Sequence, residues 1–269
     1  MGRRIGIIAG SGEFPFVVLD EAQKLGYSSV VAGIRGEAET GMKEKAEIFE
    51  WIDMGNILSL ISFFRKNNVQ EAVFAGKVDP RNIYRKEKFD EASLKLLTQS
   101  QERNPEAVIR AVIDFMTEGG IQVVDPRLFI SSSFCEAGIL TETKPSPDVE
   151  ENIVFGWKIA RNIADLDIGQ TVIVKDRAVV AVEGIEGTDE AIRRGGQLAG
   201  KDTIVVKVCR TIQDPRVDLP AVGLNTVKSL VNAQGKALCF ESQKIPFFQK
   251  EEAVSLADAN RIAIIVKKS

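Results

Sequence analysis

The richest run of chemistry-bearing residues is Asp214-Pro215-Arg216-Val217-Asp218-Leu219-Pro220. Arginine can grip a phosphate through two parallel N–H bonds, and aspartate can hold a hard cation. If the segment is extended, Arg216 and Asp218 project from the same side and could present cation and anion to one diphosphate. The plain alternative is an Arg216–Asp218 surface ion pair of small value. A second run, Glu183-Gly184-Ile185-Glu186-Gly187-Thr188-Asp189, gathers carboxylates, a hydroxyl and glycines between a strand and a helix. Thr188 or Asp189 could serve as the helix N-cap, but that would account for only one of them.

Two further runs follow apolar strands. In Gly10-Ser11-Gly12-Glu13-Phe14-Pro15, the backbone N–H groups of Gly10, Ser11 and Gly12 could meet a phosphate at a helix start. The same glycines could equally make a structural turn. Pro15 stands where a dinucleotide fingerprint has its third glycine, and Arg35 rather than an acid follows the second strand, which disfavours NAD. In Phe74-Ala75-Gly76-Lys77-Val78-Asp79-Pro80, Lys77 is either a phosphate ligand or a solvated loop lysine.

The chain has no histidine. That excludes a Ser-His-Asp triad, a Cys-His pair and an H-E-x-x-H zinc site. The three cysteines, Cys135, Cys209 and Cys239, are far apart and form no C-x-x-C pair, so they read as buried free thiols. A metal would be held by oxygen, which favours Mg²⁺, Mn²⁺ or Ca²⁺. With a formal net charge of -3 and a pI near 5.4, no broad basic surface for nucleic acid is expected. No apolar run approaches the ~18 residues needed to span a bilayer, and the chain is expected in the cytoplasm.

The elements that must position these runs alternate. Strands are expected at Arg3 to Ala9, Ser28 to Ile34, Glu71 to Ala75 and Ile121 to Val124. Helices are expected after Pro15, at Asn56 to Arg65 and from Asn104. This is an α/β pattern with a parallel sheet. Thr143-Lys144-Pro145-Ser146-Pro147 reads as a linker, giving an N-terminal Rossmann-like domain over 1–142 and a C-terminal mixed α/β domain over 148–269. In the latter, Thr171 to Lys175 and Ala178 to Val182 are expected to form a hairpin about Asp176-Arg177. Ile57, Leu58, Leu60, Ile61, Phe63 and Phe64 could cover the sheet or touch lipid. Ile245-Pro246-Phe247-Phe248 is the less regular candidate for acyl-chain or membrane contact.

Taken in series, Gly10 to Pro15, Phe74 to Val78, Leu166-Asp167-Ile168-Gly169-Gln170, Glu186 to Asp189 and Arg216 to Pro220 resemble the LpxI-type UDP-2,3-diacylglucosamine diphosphatases of lipid A biosynthesis. The resemblance covers nearly the whole chain. It implies a Mg²⁺-assisted hydrolase that splits UDP-2,3-diacylglucosamine into UMP and 2,3-diacylglucosamine 1-phosphate. It also implies peripheral work at the cytoplasmic face of the inner membrane. Asp218 matches the family's key aspartate, and Thr188 and Asp189 match its other polar loop. On this reading Asp218 and Asp189 serve the metal and the water. From the residues themselves, Gly10, Ser11, Gly12, Lys77, Thr188 and Arg216 are the groups expected to meet the phosphates. Two other classes stand beside it: an NADP-linked reductase with Arg35 on the ribose phosphate, and a sugar-nucleotide sensor without turnover.

Overall fold

A computed structural model describes residues 2–79, 89–99 and 105–269. The chain forms two compact units. One comprises Met1–Ser131 with Asp214–Asp218, the other Ser132–Gln213 with Leu219–Ser269.

The first unit runs β1 (Arg4–Ala9), α1 (Phe14–Lys24), β2 (Ser28–Ile34), α2 (Met42–Lys45), β3 (Ile48–Ile52), α3 (Ile57–Lys66), β4 (Glu71–Ala75), α4 (Glu91–Gln99), α5 (Pro105–Glu118) and β5 (Gln122–Val123). The helix expected from Asn104 opens at Pro105 within the described residues, where a missing N–H does no harm. All five strands are parallel, in the order β3-β2-β1-β4-β5. Right-handed crossovers place α1, which joins β1 to β2, and α3, which joins β3 to β4, on opposite faces of the sheet. Ile8, Val30, Ala32 and Ala72 pack with Leu60, Phe64, Ile113 and Met116 of α3 and α5. The order of the strands reverses between β1 and β4, so the crevice beyond their C-terminal ends is the expected ligand position of such a sheet.

The second unit runs β6 (Gly138–Ile139), α6 (Pro147–Asp165), β7 (Thr171–Lys175), β8 (Ala178–Val182), α7 (Thr188–Ala199), β9 (Ile204–Lys207), β10 (Val222–Gly223), α8 (Leu224–Asn232), β11 (Ala237–Glu241), β12 (Phe247–Phe248), α9 (Lys250–Ala259) and β13 (Ala263–Lys267). Its main sheet has the order β6-β13-β11-β9-β7-β8, parallel through β13, β11 and β9 and antiparallel outside them. The hairpin turn holds Asp176 and Arg177 both at positive φ, 51° and 56°, the conformation whose twist matches paired strands. Val149, Ile153 and Ala160 of α6 cover one face through Val174 and Val206. Ala191, Val227 and Ala257, from α7, α8 and α9, cover the other through Ile173, Val205 and Leu238.

Pro145-Ser146-Pro147 is a helix start. Ser146 is the N-cap of α6, its hydroxyl accepting from the Val149 N–H, and Pro147 takes the first-turn position. The backbone N–H groups of Glu142 and Thr143 donate to Asp258 Oδ1, and β6 pairs with β13, so this stretch is built into the second unit. Ile245-Pro246-Phe247-Phe248 is also internal. Ile245, Phe247 and Phe248 are buried, and Phe247 meets Phe240 edge-to-face. The acyl or membrane contact expected there is therefore corrected: these side chains offer lipid no surface. α3 likewise buries Ile57, Leu60, Ile61, Phe63 and Phe64, leaving Leu58 exposed.

Candidate functional site

At the switch point of the first unit, the Gly10 N–H donates to the Ala75 carbonyl at 2.8 Å, and the Ser11 N–H to the Lys77 carbonyl at 2.7 Å. Lys77 N–H returns a bond to the Ser11 carbonyl at 3.0 Å. A Cβ at residue 10 would stand 2.3 Å from the Lys77 carbonyl oxygen, and one at residue 76 would stand 2.7 Å from the Ser11 carbonyl oxygen. Gly10 and Gly76 therefore exist so that two loops can touch. The N–H groups of Gly10 and Ser11, expected to cradle a phosphate, already serve that contact. Gly12 lies beyond it at φ +90°, and the exposed Lys77 side chain projects from a backbone that Ser11 fixes. Arg35 Nε holds Asp53 Oδ1 at 3.0 Å, so the arginine that would read a ribose phosphate is already paired with a carboxylate.

Behind this loop pair lies an apolar cavity of about 210 Å³. Its walls include Ile8 and Gly10 at the end of β1, Ile57 and Leu60 of α3, and Ile109 and Val112 of α5. Interiors are normally packed with few voids larger than a water molecule.

The segment Asp214–Asp218 belongs to the first unit because Val217 is buried among that unit's core residues. It is a turn, not the extended segment expected. The N–H groups of Val217 and Asp218 both donate to the Asp214 carbonyl, at 3.0 and 3.1 Å. Arg216 pairs with Asp214 rather than Asp218. Its backbone N–H, Nε and Nη2 all reach the Asp214 carboxylate, the last at 2.8 Å, and Arg110 Nη1 stands 3.7 Å away. The hydrogen bond from Arg216 holds the Asp214 carboxyl below its usual range, against a smaller opposing effect of burial. A phosphate bound by Arg216 must use the guanidinium edge that Asp214 leaves open. Asp218 is half-buried at the end of this turn.

In the second unit, Thr188 and Asp189 open α7 at the carboxyl ends of β8 and β9. The Thr188 hydroxyl donates to Glu183 Oε1 at 2.7 Å and accepts from Lys207 Nζ at 2.7 Å. The Thr188 hydroxyl is thus engaged on both sides, by Glu183 and by Lys207. Burial alone would push the Glu183 carboxyl up. Lys207, the Thr171 and Thr188 hydroxyls and the Gln170 N–H outweigh it and hold the carboxyl below its usual range. Lys207 was missed from the sequence. The available signal was a lysine closing an otherwise apolar strand, Ile204-Val205-Val206-Lys207.

Among the described residues, no three acidic or cysteine side chains gather into a cage for a metal. Asp189 does carry a buried carboxylate oxygen, Oδ1, with no hydrogen-bond partner, an arrangement that a cation or donor would relieve. Magnesium commonly keeps several waters and takes only one or two carboxylates beside substrate phosphates. The hard oxygen donors fit that mode of binding. Asp189 lies in the second unit and Asp218 in the first.

The family model of the LpxI N-terminal domain matches residues 4–133, and that of the LpxI C-terminal domain matches residues 136–265. The UDP-2,3-diacylglucosamine pyrophosphatase LpxI of Caulobacter vibrioides is 25% identical over 267 residues, covering 95% of this chain and 94% of that protein. Among solved structures, CobK precorrin-6A reductase is 9% identical with a TM-score of 0.35, covering 99% of this chain and 88% of its own. Phosphoribosylglycinamide synthetase from Anaerococcus prevotii is 11% identical with a TM-score of 0.26, covering 71% of this chain and 34% of its own. The two domain models adjoin between residues 133 and 136, close to Ser131 and Ser132 where the compact units part, and between them they span nearly every residue: the chain belongs to the LpxI family.

Proposed function

We propose that this protein hydrolyses the diphosphate of UDP-2,3-diacylglucosamine to 2,3-diacylglucosamine 1-phosphate and UMP, a step of lipid A biosynthesis. The observation that carries the reading is the apolar cavity beside the switch-point loops. A sugar nucleotide alone has no use for a space walled by Ile8, Ile57, Leu60 and Val112, whereas part of an acyl chain fills it. A nicotinamide cofactor is disfavoured by Pro15 in the glycine turn and by the Arg35–Asp53 pair. A sensor without turnover would release no UMP.

In this mechanism water attacks the phosphorus on the sugar side. The new P–O bond joins the water oxygen to the sugar phosphate, the bridging P–O bond breaks, and UMP leaves with the bridging oxygen. Asp218 orients the water and takes its proton; Asp189 is a carboxylate of the second unit available to the metal or the water. Lys77 and the open edge of Arg216 meet phosphate oxygens, where fixed cations stabilise the charge that shifts during displacement. Asp218 and Asp189 each offer magnesium a hard oxygen donor, and the bound metal would supply further neutralisation of that charge. The protein works peripherally at the cytoplasmic face of the inner membrane, where a diacylated substrate resides. No described helix is long and apolar enough to cross a membrane.

Purified protein, UDP-2,3-diacylglucosamine and Mg²⁺ should yield UMP. In ¹⁸O water the label should enter the sugar phosphate. No UMP sinks the reading, and label in UMP overturns the site of attack. EDTA should abolish turnover, with Mg²⁺ or Mn²⁺ restoring it. Full activity in a rigorously metal-free sample refutes the metal assignment. Co-flotation with inner-membrane lipid vesicles tests the peripheral location.

A further inference from the structure

We infer that Lys207 and Glu183 are positioning residues of this reaction: a buried ion pair that fixes the Thr188 hydroxyl and, through Thr188, the direction of the neighbouring Asp189 carboxylate. The inference rests on the reading of Asp189 as a group that acts on the substrate.

Lys207 is 4% exposed, at the end of a strand whose other residues are apolar and buried. Burying an ammonium is unfavourable unless it is paired and hydrogen-bonded. On the same strand face stands Val205, packed in an apolar core, so packing alone would be met by another aliphatic side chain. The lysine instead spends its donors on one small network. Its Nζ lies 2.7 Å from Thr188 Oγ1, 3.3 Å from Thr171 Oγ1 and 3.7 Å from Glu183 Oε2.

Thr188 is the centre of that network. Its hydroxyl gives its proton to Glu183 Oε1 at 2.7 Å and receives one from Lys207, so neither direction of the group is free. Glu183 Oε2 is steadied by the Gln170 N–H at 3.3 Å. The partners come from the ends of β7, β8 and β9 and the first residue of α7. Asp189 follows across a planar peptide, so fixing Thr188 limits where the Asp189 side chain can aim. The buried Asp189 Oδ1 has no hydrogen-bond partner, so no bond of its own holds that oxygen's aim.

The pair need not hold the fold. Replacing a buried ion pair by neutral side chains of similar volume is often neutral or stabilising. The test is therefore the double variant Lys207→Met/Glu183→Gln, followed by thermal unfolding and by kcat and KM for UMP release. The expected result is an unfolding midpoint near that of the native protein. kcat per folded molecule should fall about ten- to a hundredfold, the scale of a small misplacement, with KM moving less than about threefold. Thr188→Val should lose as much, and Thr188→Ser, which keeps the hydroxyl, should recover most of it. Because the residues act through one group, adding Thr188→Val to the double variant should lower kcat by less than about twofold more.

Native kcat in the folded double variant overturns the inference, as do losses that multiply with Thr188→Val. Should the double variant fail to fold, equal kcat for Thr188→Val and Thr188→Ser overturns it alone. Asp189→Asn separates the two levels. Full activity in that variant removes the reading of Asp189 itself, and with it the inference. Lost activity there, beside a native double variant, removes the positioning role only.

Discussion

Asp218 and Val217 are neighbours in one turn, and opposite kinds of importance are expected of them. Val217 is 8% exposed and packs in the core of the first unit. Val217→Ala deletes two methyl groups at about 0.8 kcal/mol each and leaves a small cavity, for a loss of about 2 kcal/mol. For a unit of this size that lowers Tm by roughly 5 °C. Asp218 holds its turn through its backbone N–H to the Asp214 carbonyl, which Asp218→Ala keeps. Truncating the half-buried Asp218 carboxylate, which makes interactions of its own, should still cost less than Val217→Ala because it opens no cavity in the core. Turnover should show the reverse. Asp218→Ala should lower kcat by about a hundredfold, the scale of losing one pre-organised electrostatic element and equivalent to about 2.7 kcal/mol of barrier. Val217→Ala should keep kcat within about threefold per folded molecule. The assay is UMP release from UDP-2,3-diacylglucosamine in detergent micelles with Mg²⁺, normalised by the folded fraction from melts at the same protein concentration. Native turnover in Asp218→Ala refutes the reasoning. A Tm drop as large as that of Val217→Ala, with activity lost in proportion, returns Asp218 to a structural role.

Gly10→Ala forces a Cβ to within 2.3 Å of a backbone carbonyl, so the paired loops must separate at about 1–3 kcal/mol, read as a lower urea midpoint. An unchanged midpoint would show that the loops move apart freely. All three cysteines are buried, and burial pushes the Cys209 and Cys239 thiols up to about 12, so native protein should resist a thiol reagent at pH 8 and label at all three after denaturation. Rapid native labelling would contradict that burial. Glu241 is fully buried. Burial raises its carboxyl, but bonds from Lys244, Ser269, Arg161 and the Cys209 N–H outweigh this and hold it below the ordinary value of 4.5. A depressed folded value contributes stability that is present above about pH 4.5 and is lost as pH falls through the lower folded value. Glu241→Gln should therefore be less stable at pH 7 and show a flatter acid branch between about pH 5 and 3 in denaturant titrations. A variant with the native acid slope would count against the linkage.

What the sequence disclosed depended on how local the cause was. The strands Ser28–Ile34 and Glu71–Ala75 and the hairpin Thr171–Val182 follow from apolar runs and turn residues a few positions apart, and they stand where expected. β3, Ile48-Phe49-Glu50-Trp51-Ile52, is a strand that the sequence reading does not include, although it is rich in strand formers. Pro145-Ser146-Pro147 was read through its prolines as a break, whereas the serine between them marks a helix cap. The candidate site was legible in residue type and illegible in partnership. Arg216 was visible, but its bond to Asp214 required the turn. The glycines of residues 10 and 76 were visible, but each is explained by the carbonyl of the other's loop, far away in sequence. Lys207 shows the limit most clearly. Its immediate neighbours, Ile204 to Val206 and Val208, are apolar, yet folding brings Glu183, Thr188 and Thr171 within reach of its Nζ. A buried charge at the end of an apolar strand is itself a local contradiction, since neither propensity nor packing calls for it. Such contradictions are where a sequence declares that something other than stability was selected. That rule, applied to Ile204-Val205-Val206-Lys207, would have pointed to the network that the four polar loops, taken one at a time, did not reveal.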